Sequence, residues 1–347
     1  VGPLIVPMTR TEYRNNLKPK PSQLFSHSDQ SSQSQTSISK AGSSQTGWAG
    51  RLADRLDEVN GDSTFPMVLS VAGSAIFGQG QTTRALAISA APTALNQVLV
   101  LNGFGTAADE VARRTSMTYL RTVDLSSLLV KATSEATQQA VDISAAFSVD
   151  PTLTTVFPTT TLGNQLKQVA KVIKLNLTQP ALSLERQIFF CRVGGFDTHQ
   201  DQPANQASLM TQLDDAMKAF YDATVELNVE PRVTTFTLSD FSRTLQPAGT
   251  GPTVGTDHAW GNHLFVMGGA VDGGEFYGVA GSNGTVFPTL QFSGPDDTDN
   301  RGRWIPTASI DQYAATLATW YGLSTADRAL VFPQIGNFNT PDLGFMN

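Results

Sequence analysis

The chain alternates between short apolar runs and longer stretches in which apolar residues recur at helical spacing. Five apolar runs predict strands, over residues 65–71, 97–101, 187–193, 233–238 and 264–267. Five stretches predict helices: one through Leu52 and Leu56, a long pattern over 106–147, a stripe over 162–177 that ends before Pro180, a stripe over 209–220, and a last helix over 313–321. This alternation predicts an α/β fold in which helices flank a largely parallel sheet.

Two polar segments interrupt the pattern. Residues 22–47 consist mainly of Ser, Gln and Thr, a composition that buries too little apolar surface for a core, so we expect a long surface loop there. Residues 281–303 carry Asp296, Asp297 and Asp299 among glycines and serines. These carboxylates lack the regular spacing of an EF-hand calcium site, which favours a solvated acidic loop over calcium binding.

Composition narrows the classes of protein to which the chain can belong. Its 347 residues are enough for a sizeable core, and we interpret residues 1–347 as a single domain. The net charge of −7 disfavours a nucleic-acid partner, because phosphate binding needs clustered Lys and Arg. No apolar run reaches the length of a transmembrane helix. The single Cys191 excludes an internal disulfide.

Histidine placement points to the chemistry. The chain has four histidines, and each lies beside Asp, Ser or Gly in a predicted loop: His27, His199, His258 and His263. His199 follows the strand 187–193 in the motif GGFDTH, and the last two precede the strand 264–267 in TDHAWGNH. Because none of them belongs to a helical stripe, core packing does not account for them.

Carboxylates accompany these histidines at the ends of strands. Asp197 follows the strand 187–193, and Asp240 follows the strand 233–238, with one crossover helix between them. Ligands of open α/β sheets bind at the carboxyl ends of strands, so distant side chains converge there. The sequence therefore predicts a site for a divalent metal (zinc, manganese, iron or calcium) with six candidate ligands: Asp197, His199, Asp240, Asp257, His258 and His263.

A simpler interpretation of each residue stays open at this point. A single Asp after a strand commonly caps a helix or closes an Asx-turn, and a single loop histidine is commonly solvated. The coincidence of all four histidines with polar clusters favours the metal site over this alternative.

The motifs together resemble a known family. VGPLIVP, LFSHSDQ, TGWAGRLAD, GGFDTHQDQ, LSDFSRT, GTDHAWGNH, FVMGGAVDGG and RWIPTASIDQYAATLATWYGL are similar to the bacterial domain-of-unknown-function family 1501, from residue 1 to the C-terminus. Its members are exported by the twin-arginine route and are grouped with the alkaline phosphatase and sulfatase superfamily. The resemblance therefore implies an alkaline phosphatase-like fold and a periplasmic or outer-surface location.

The superfamily also implies roles for individual residues. One metal is held by an Asp and a nearby His, which Asp197 and His199 match, with His258 or His263 as a later ligand. LSDFSRT stands where the superfamily has an Asp-His-Gly motif, so Asp240 would serve a second site from which Phe241 has displaced the histidine. The sulfatase nucleophile motif has no match, so Ser26 is the candidate nucleophile in its place, and His27 beside it is a second catalytic candidate.

The same resemblance bears on the beginning of the chain. Val1 has no initiator Met or signal region before it, whereas family members begin with a strand that ends in a Gly-Gly-Asn-Asp motif. We expect the domain to be truncated at its N-terminus, the sheet to lack that strand, and an upstream fragment of the same protein to complete it.

Two functions follow as hypotheses. The first is an exported metal-dependent hydrolase or transferase that acts on a phosphate or sulfate ester of a small molecule or glycan, with Arg243 neutralising the substrate anion. The second is a non-catalytic exported binding or assembly protein that retains the fold and a structural metal.

Overall fold

Three short parallel strands form the central sheet of the protein. In the computed structural model, which describes residues 1–39, 44–61, 63, 65–179, 182 and 184–347, these are β1 (Val68–Ser70), β2 (Leu86–Ala87) and β3 (Ile188–Phe190). Their order is β2-β1-β3, and Leu69 lies opposite both Leu86 and Phe189. The predictions of strands over 65–71 and 187–193 and of parallel pairing are confirmed for this sheet.

Four further strands form two antiparallel pairs. β4 (Thr234–Phe236) pairs with β7 (Val266–Gly268), and β5 (Arg243–Pro247) pairs with β6 (Thr256–His258). The strands predicted over 233–238 and 264–267 are therefore present, but their pairing corrects the expectation of a largely parallel sheet. The run 97–101 is not a strand: it follows a turn of 3₁₀ helix at Leu95–Gln97.

Nine α-helices surround the strands in the described part of the chain: α1 (Arg10–Arg14), α2 (His27–Thr36), α3 (Trp48–Arg55), α4 (Ala108–Leu120), α5 (Leu128–Ala146), α6 (Thr161–Thr178), α7 (Gln202–Glu226), α8 (Ile310–Tyr321) and α9 (Arg328–Val331). The pattern over 106–147 is two helices, and the stripes over 162–177, 209–220 and 313–321 fall within α6, α7 and α8. Pro180, the predicted end of α6, lies outside the described residues.

The period-two alternation of the strands divides the core into two layers. Leu69 and Phe189 point to one face of the sheet, where α6 and α7 pack, while Val68 and Ile188 point to the other, where α3 and α8 pack. Both faces of the sheet are therefore buried under helices, as in other sheets of parallel strands.

The polar segment 22–47 corrects the sequence prediction. Its residues His27–Thr36 form α2, and Gln30, Gln33, Ser34 and Thr36 of this helix are buried. Polar contacts replace the missing apolar stripe, since Gln30 accepts from the backbone N–H of Phe25 and Gln33 donates to Ser22. Composition does not reveal these contacts or the burial of the helix, because both depend on how the chain packs.

The described helices include none that is long and apolar enough to cross a membrane.

Candidate metal centre

Asp197 lies at the centre of the site because the chain turns sharply after β3. Gly195 adopts φ +98°, a left-handed conformation that glycine reaches without strain, two residues before Asp197. The side chain of Asp197 is 40% exposed, and three imidazoles surround its two carboxylate oxygens. The site is thus open to solvent on one side.

The three imidazoles come from separate elements. His27 begins α2, His199 follows Asp197 in the same loop, and His258 ends β6. Their Nε2 atoms lie 3.1, 2.9 and 3.0 Å, respectively, from the Asp197 carboxylate, and the Nε2 atoms of His199 and His258 are 3.1 Å apart. His27, Asp197 and His258 each offer a donor atom within 4.8 Å of the other two, so they would hold one metal ion together.

Each imidazole has an oxygen near its outer nitrogen, and for His27 and His258 the contact is a hydrogen bond. The Nδ1 atom of His27 lies 2.9 Å from Asp240 Oδ2, that of His199 lies 3.5 Å from Asp257 Oδ1, and that of His258 lies 2.8 Å from the carbonyl oxygen of Phe25. Metal-binding histidines in proteins show this pattern, in which the outer nitrogen donates to a carboxylate or carbonyl and the inner one faces the ion.

The partner of His258 settles where its proton lies. A carbonyl oxygen only accepts, so Nδ1 of His258 carries the hydrogen, and in the neutral ring Nε2 is then an acceptor. That atom faces a carboxylate oxygen of Asp197, another acceptor. The contact is attractive only when a proton or a metal cation lies between the two atoms.

The electrostatics of the cluster are consistent with a cation site. The hydrogen bond to Asp240 raises the pKa of His27 above its usual value, aided by Asp197 and opposed by burial. Burial would raise the pKa of Asp197, but hydrogen bonds from His27 and Arg243 outweigh it and lower that pKa to about 2. The hydrogen bond from Arg301 lowers the pKa of Asp257. The carboxylates are therefore ionised at neutral pH.

Arg243 occupies a different position from the one expected of an anion-binding residue. Its Nη1 atom is 2.5 Å from Asp197 Oδ1, and its Nε and Nη2 atoms donate to the hydroxyl and carbonyl oxygens of Thr256. In this arrangement it neutralises Asp197 and anchors β6. It lies beside the cluster with its side chain 13% exposed.

Two predicted residues fall outside the cluster in the described contacts. His263 packs on the ring of Phe287, and burial together with the α-amino group of Val1 lowers its pKa. Ser26 precedes α2, where its hydroxyl contacts Asp29 and Ser28 at 2.8 and 3.1 Å. The structure thus brings together Asp197, His199, Asp240, Asp257 and His258, and it adds His27, predicted as catalytic, to the metal-facing imidazoles.

Two residues that support the site, Phe25 and Arg301, carry no signal in the sequence, whereas Phe241 stands out in the motif LSDFSRT. Phe25 has φ +73°, an uncommon conformation for a non-glycine residue, and its carbonyl holds His258. Arg301 pairs with Asp257 across 44 residues. Phe241 is buried and stacks on the rings of His258 and His27, with centroids 4.3 and 4.6 Å apart. The aromatic residue at the expected histidine position therefore forms an apolar wall of the site.

Gly255 is a supporting residue that the motif GTDH does contain. A side chain there would collide with the backbone of Thr198 and His199, at 2.2 Å from the nearest atoms. Only glycine allows β6 to approach the loop after β3 this closely, and that approach brings His258 to Asp197.

Comparison with known proteins places this chain in a family. No curated protein and no solved structure matches it. A family model described as "Protein of unknown function (DUF1501)" matches residues 3–289, and this range includes every residue of the cluster described above. The chain therefore belongs to the DUF1501 family.

Proposed function

We propose that the protein is an exported, metal-dependent hydrolase or transferase of the alkaline phosphatase type that acts on a phosphate or sulfate ester. The observation that supports it most is the convergence of three imidazole Nε2 atoms on one carboxylate, each imidazole oriented by an oxygen at its other nitrogen. The resemblance of the motifs to the alkaline phosphatase and sulfatase superfamily supports the reaction class, the fold and the periplasmic or outer-surface location.

The donor set favours some metals over others. Three nitrogens and one carboxylate oxygen suit zinc, and also manganese or iron, whereas calcium takes six to eight oxygen ligands. We therefore propose zinc, manganese or iron, held by His27, Asp197 and His258, whose donor atoms lie within 4.8 Å of one another. His199, whose Nε2 atom is 3.1 Å from that of His258, is the proposed fourth ligand. Asp240 is hydrogen-bonded to Nδ1 of His27 and keeps that ring in position. Asp257 lies 3.5 Å from Nδ1 of His199, where its charge favours the same orientation.

The metal, when bound, would polarise the ester oxygen and lower the pKa of a nucleophilic water or hydroxyl. The residues of the chain would bind and orient the substrate. The exposed side of Asp197 leaves room for an ester beside the metal, and Arg243 offers a planar cation for phosphate or sulfate oxygens. Phe241, stacked on His258, would form the apolar side of the substrate site.

A specific observation favours the non-catalytic alternative. Four protein side chains converge here, and a tetrahedral site filled by four protein ligands is typical of structural zinc. Ser26, the candidate nucleophile, is bonded to Asp29. The exposure of 40–46% at Asp197, His27 and His199 favours the enzyme, because it leaves space for a further ligand.

One experiment separates the two functions. The purified protein is loaded with Co²⁺, and its visible absorption spectrum is recorded with and without phosphate, sulfate and azide. A catalytic site exchanges its solvent ligand, so we expect the spectrum to shift when the anions are added. A spectrum that no anion changes would indicate a closed structural site and would contradict the proposal.

Activity is measured on the same preparation. The protein loaded in turn with Zn²⁺, Mn²⁺ and Fe²⁺ is assayed on p-nitrophenyl phosphate, bis-p-nitrophenyl phosphate and p-nitrophenyl sulfate. The expected result is turnover of at least one ester that disappears in Asp197→Asn and persists in Asp215→Asn, an exposed carboxylate on α7. Location is tested by fractionating cells that produce the native full-length protein, for which a purely cytoplasmic protein would contradict export.

A further inference from the structure

A cavity of about 1090 Å³ lies between β3 and β4. Residues 184–193 line it on the β3 side without interruption, and residues 231–240 line it on the β4 side. An unbroken run of lining residues means that the strand edge itself, and not only alternate side chains, faces the cavity. In the described part of the chain β3 pairs with β1 and β4 pairs with β7, but β3 and β4 do not pair with each other. We call this space the β3–β4 slot.

The two strands that border the slot run in the same direction. They are joined by the 25-residue helix α7, as in a crossover between parallel strands. Asp197 follows β3 and Asp240 follows β4, and both carboxylates contact the ring of His27, at 3.1 and 2.9 Å. The carboxyl ends of both strands therefore reach the same place.

Among the described residues, no backbone hydrogen bond is made by the edge of β3 that faces the slot. On the other edge Ile188 donates to Met67 and Phe190 accepts from Val71, at 2.8 and 2.9 Å. Successive residues of a parallel strand direct their N–H and C=O groups to opposite neighbours. The groups of Phe189 and Cys191 therefore point into the slot.

The edge of β4 is arranged in the same way. Thr237 donates its N–H to the carbonyl oxygen of Phe265, the residue before β7, at 3.0 Å. The N–H groups of Phe236 and Leu238 therefore point away from β7 and into the slot. Two rows of backbone donors and acceptors thus face each other across the cavity. Such groups are rarely left unpaired inside a protein.

Apolar side chains line the slot on both faces of the sheet, with polar ones such as Thr235 and Asn176 among them. Trp48, Phe77 and Ala318 lie on the face of α3 and α8, and Leu166, Val169 and Phe220 lie on the face of α6 and α7. An occupant must therefore be apolar on both sides and must also pair with both backbone rows. A lipid or a small apolar molecule fulfils only the first condition.

We infer that the β3–β4 slot binds an extended polypeptide strand of about seven residues, apolar on both faces and parallel to β3 and β4. The strand is supplied from outside the described residues. Once bound, it joins the two halves into one sheet of order β2-β1-β3-strand-β4-β7, in which only β7 is antiparallel. Strand addition of this kind derives affinity from the main chain and specificity from the side-chain pockets. The inference does not depend on the metal.

Synthetic peptides test the inference on the 347-residue protein. The probe has seven consecutive Val, Ile and Leu residues followed by two lysines for solubility, and the control has proline at the fourth position, which removes a donor from the strand. We expect the probe to bind one to one and to slow hydrogen exchange at the amides of Phe189 and Phe236 at least tenfold. The proline peptide should bind at least tenfold more weakly.

Two variants of α7 locate the binding. Leu213 lines the slot, whereas Met210 is exposed on the same helix and does not line it. Leu213→Arg should weaken probe binding at least tenfold, and Met210→Arg should leave it within twofold, with circular dichroism verifying that both are folded. Three results would overturn the inference: no binding of the probe at millimolar concentration, equal binding of the proline peptide, or binding of decanoate that displaces the probe without protecting either amide.

Discussion

The imidazole of His258 donates from Nδ1 to the carbonyl oxygen of Phe25, 2.8 Å away, and thereby turns its Nε2 atom towards Asp197. The two residues are 233 positions apart in the sequence. Gln30, which is fully buried, fixes the backbone of Phe25 by accepting its N–H. A polar helix that looks like a surface loop in the sequence therefore orients a ring of the candidate metal centre.

Replacing Asp197 with Asn should reduce metal binding at least a hundredfold. Asn retains the size of the side chain but removes the negative charge around which three imidazoles converge. Metal content after dialysis and Kd from chelator competition measure the effect. Asp215→Asn, which removes an exposed carboxylate of α7, is the matched control and should retain the metal. Equal retention by both variants would mean that Asp197 only organises its loop.

Asp240→Asn should weaken metal binding by about 10- to 100-fold, the range typical of residues that orient a ligand from behind. The carboxylate of Asp240 holds His27 through Nδ1 and does not face the other histidines. Asn can still accept this hydrogen bond, so Asp240→Ala should have the larger effect. The same chelator competition measures both, and identical affinities of all three proteins would show that His27 is not a ligand.

Metal binding should weaken as the pH falls through the raised pKa of His27. The hydrogen bond to Asp240 raises this pKa above 6.5, so in the metal-free protein the proton on Nε2 is retained to a higher pH and must leave before a metal binds. In the metal-free protein, the protonated His27 ring stabilises the folded state. This contribution is fully present below pH 6.5 and is lost as the pH rises through the pKa of His27 in the folded protein. Titration calorimetry in buffers of different ionisation enthalpy measures the proton release, which Asp240→Asn should shift to lower pH.

Asp297→Asn should destabilise the protein by about 1–3 kcal/mol, the cost of leaving buried donors unsatisfied. The acidic loop was expected to be solvated, but Asp297 is fully buried and accepts backbone N–H groups from four residues: Ser293, Asp299, Gly302 and Arg303. An Asn amide would direct its own N–H towards some of these donors. Urea unfolding measures the change, and a midpoint equal to that of Asp215→Asn would contradict it.

Asp311→Asn should change the pH dependence of stability. Burial raises the pKa of Asp311 to about 7, against an opposing hydrogen bond from Ser309. A raised folded pKa means that stability is present below the unfolded value near 4 and is lost as the pH rises to about 7, by about 1.4 kcal/mol for each unit of difference. Relative to the wild type, the variant should therefore gain stability between pH 4 and pH 8. Urea midpoints at both pH values measure this, and a constant difference would show that Asp311 is ionised in the fold.

The sequence by itself determined the helices with long apolar stripes and the strands that carry the core. The period of the apolar residues predicts these elements because each is stabilised by burying one apolar face. The pattern therefore places three helices and two strands correctly: α6, α7, α8, β1 and β3. It also indicated Asp197, His199, Asp240 and His258, because chemistry-bearing residues at strand ends converge at one edge of a sheet.

Only the tertiary structure decided which of the candidate ligands lie together and which residues support them. Gln30 and Gln33 are buried on α2, a helix that the polar composition did not predict. Phe25 offers a carbonyl to His258, and Arg243 donates to Asp197. His263 stands in the same motif as His258, TDHAWGNH, yet it packs against Phe287 and not in the cluster. The pairing of the strands also depended on the tertiary structure, because hydrogen bonds between strands join residues that are far apart in the chain. A local sequence pattern does not show which strand edges will meet.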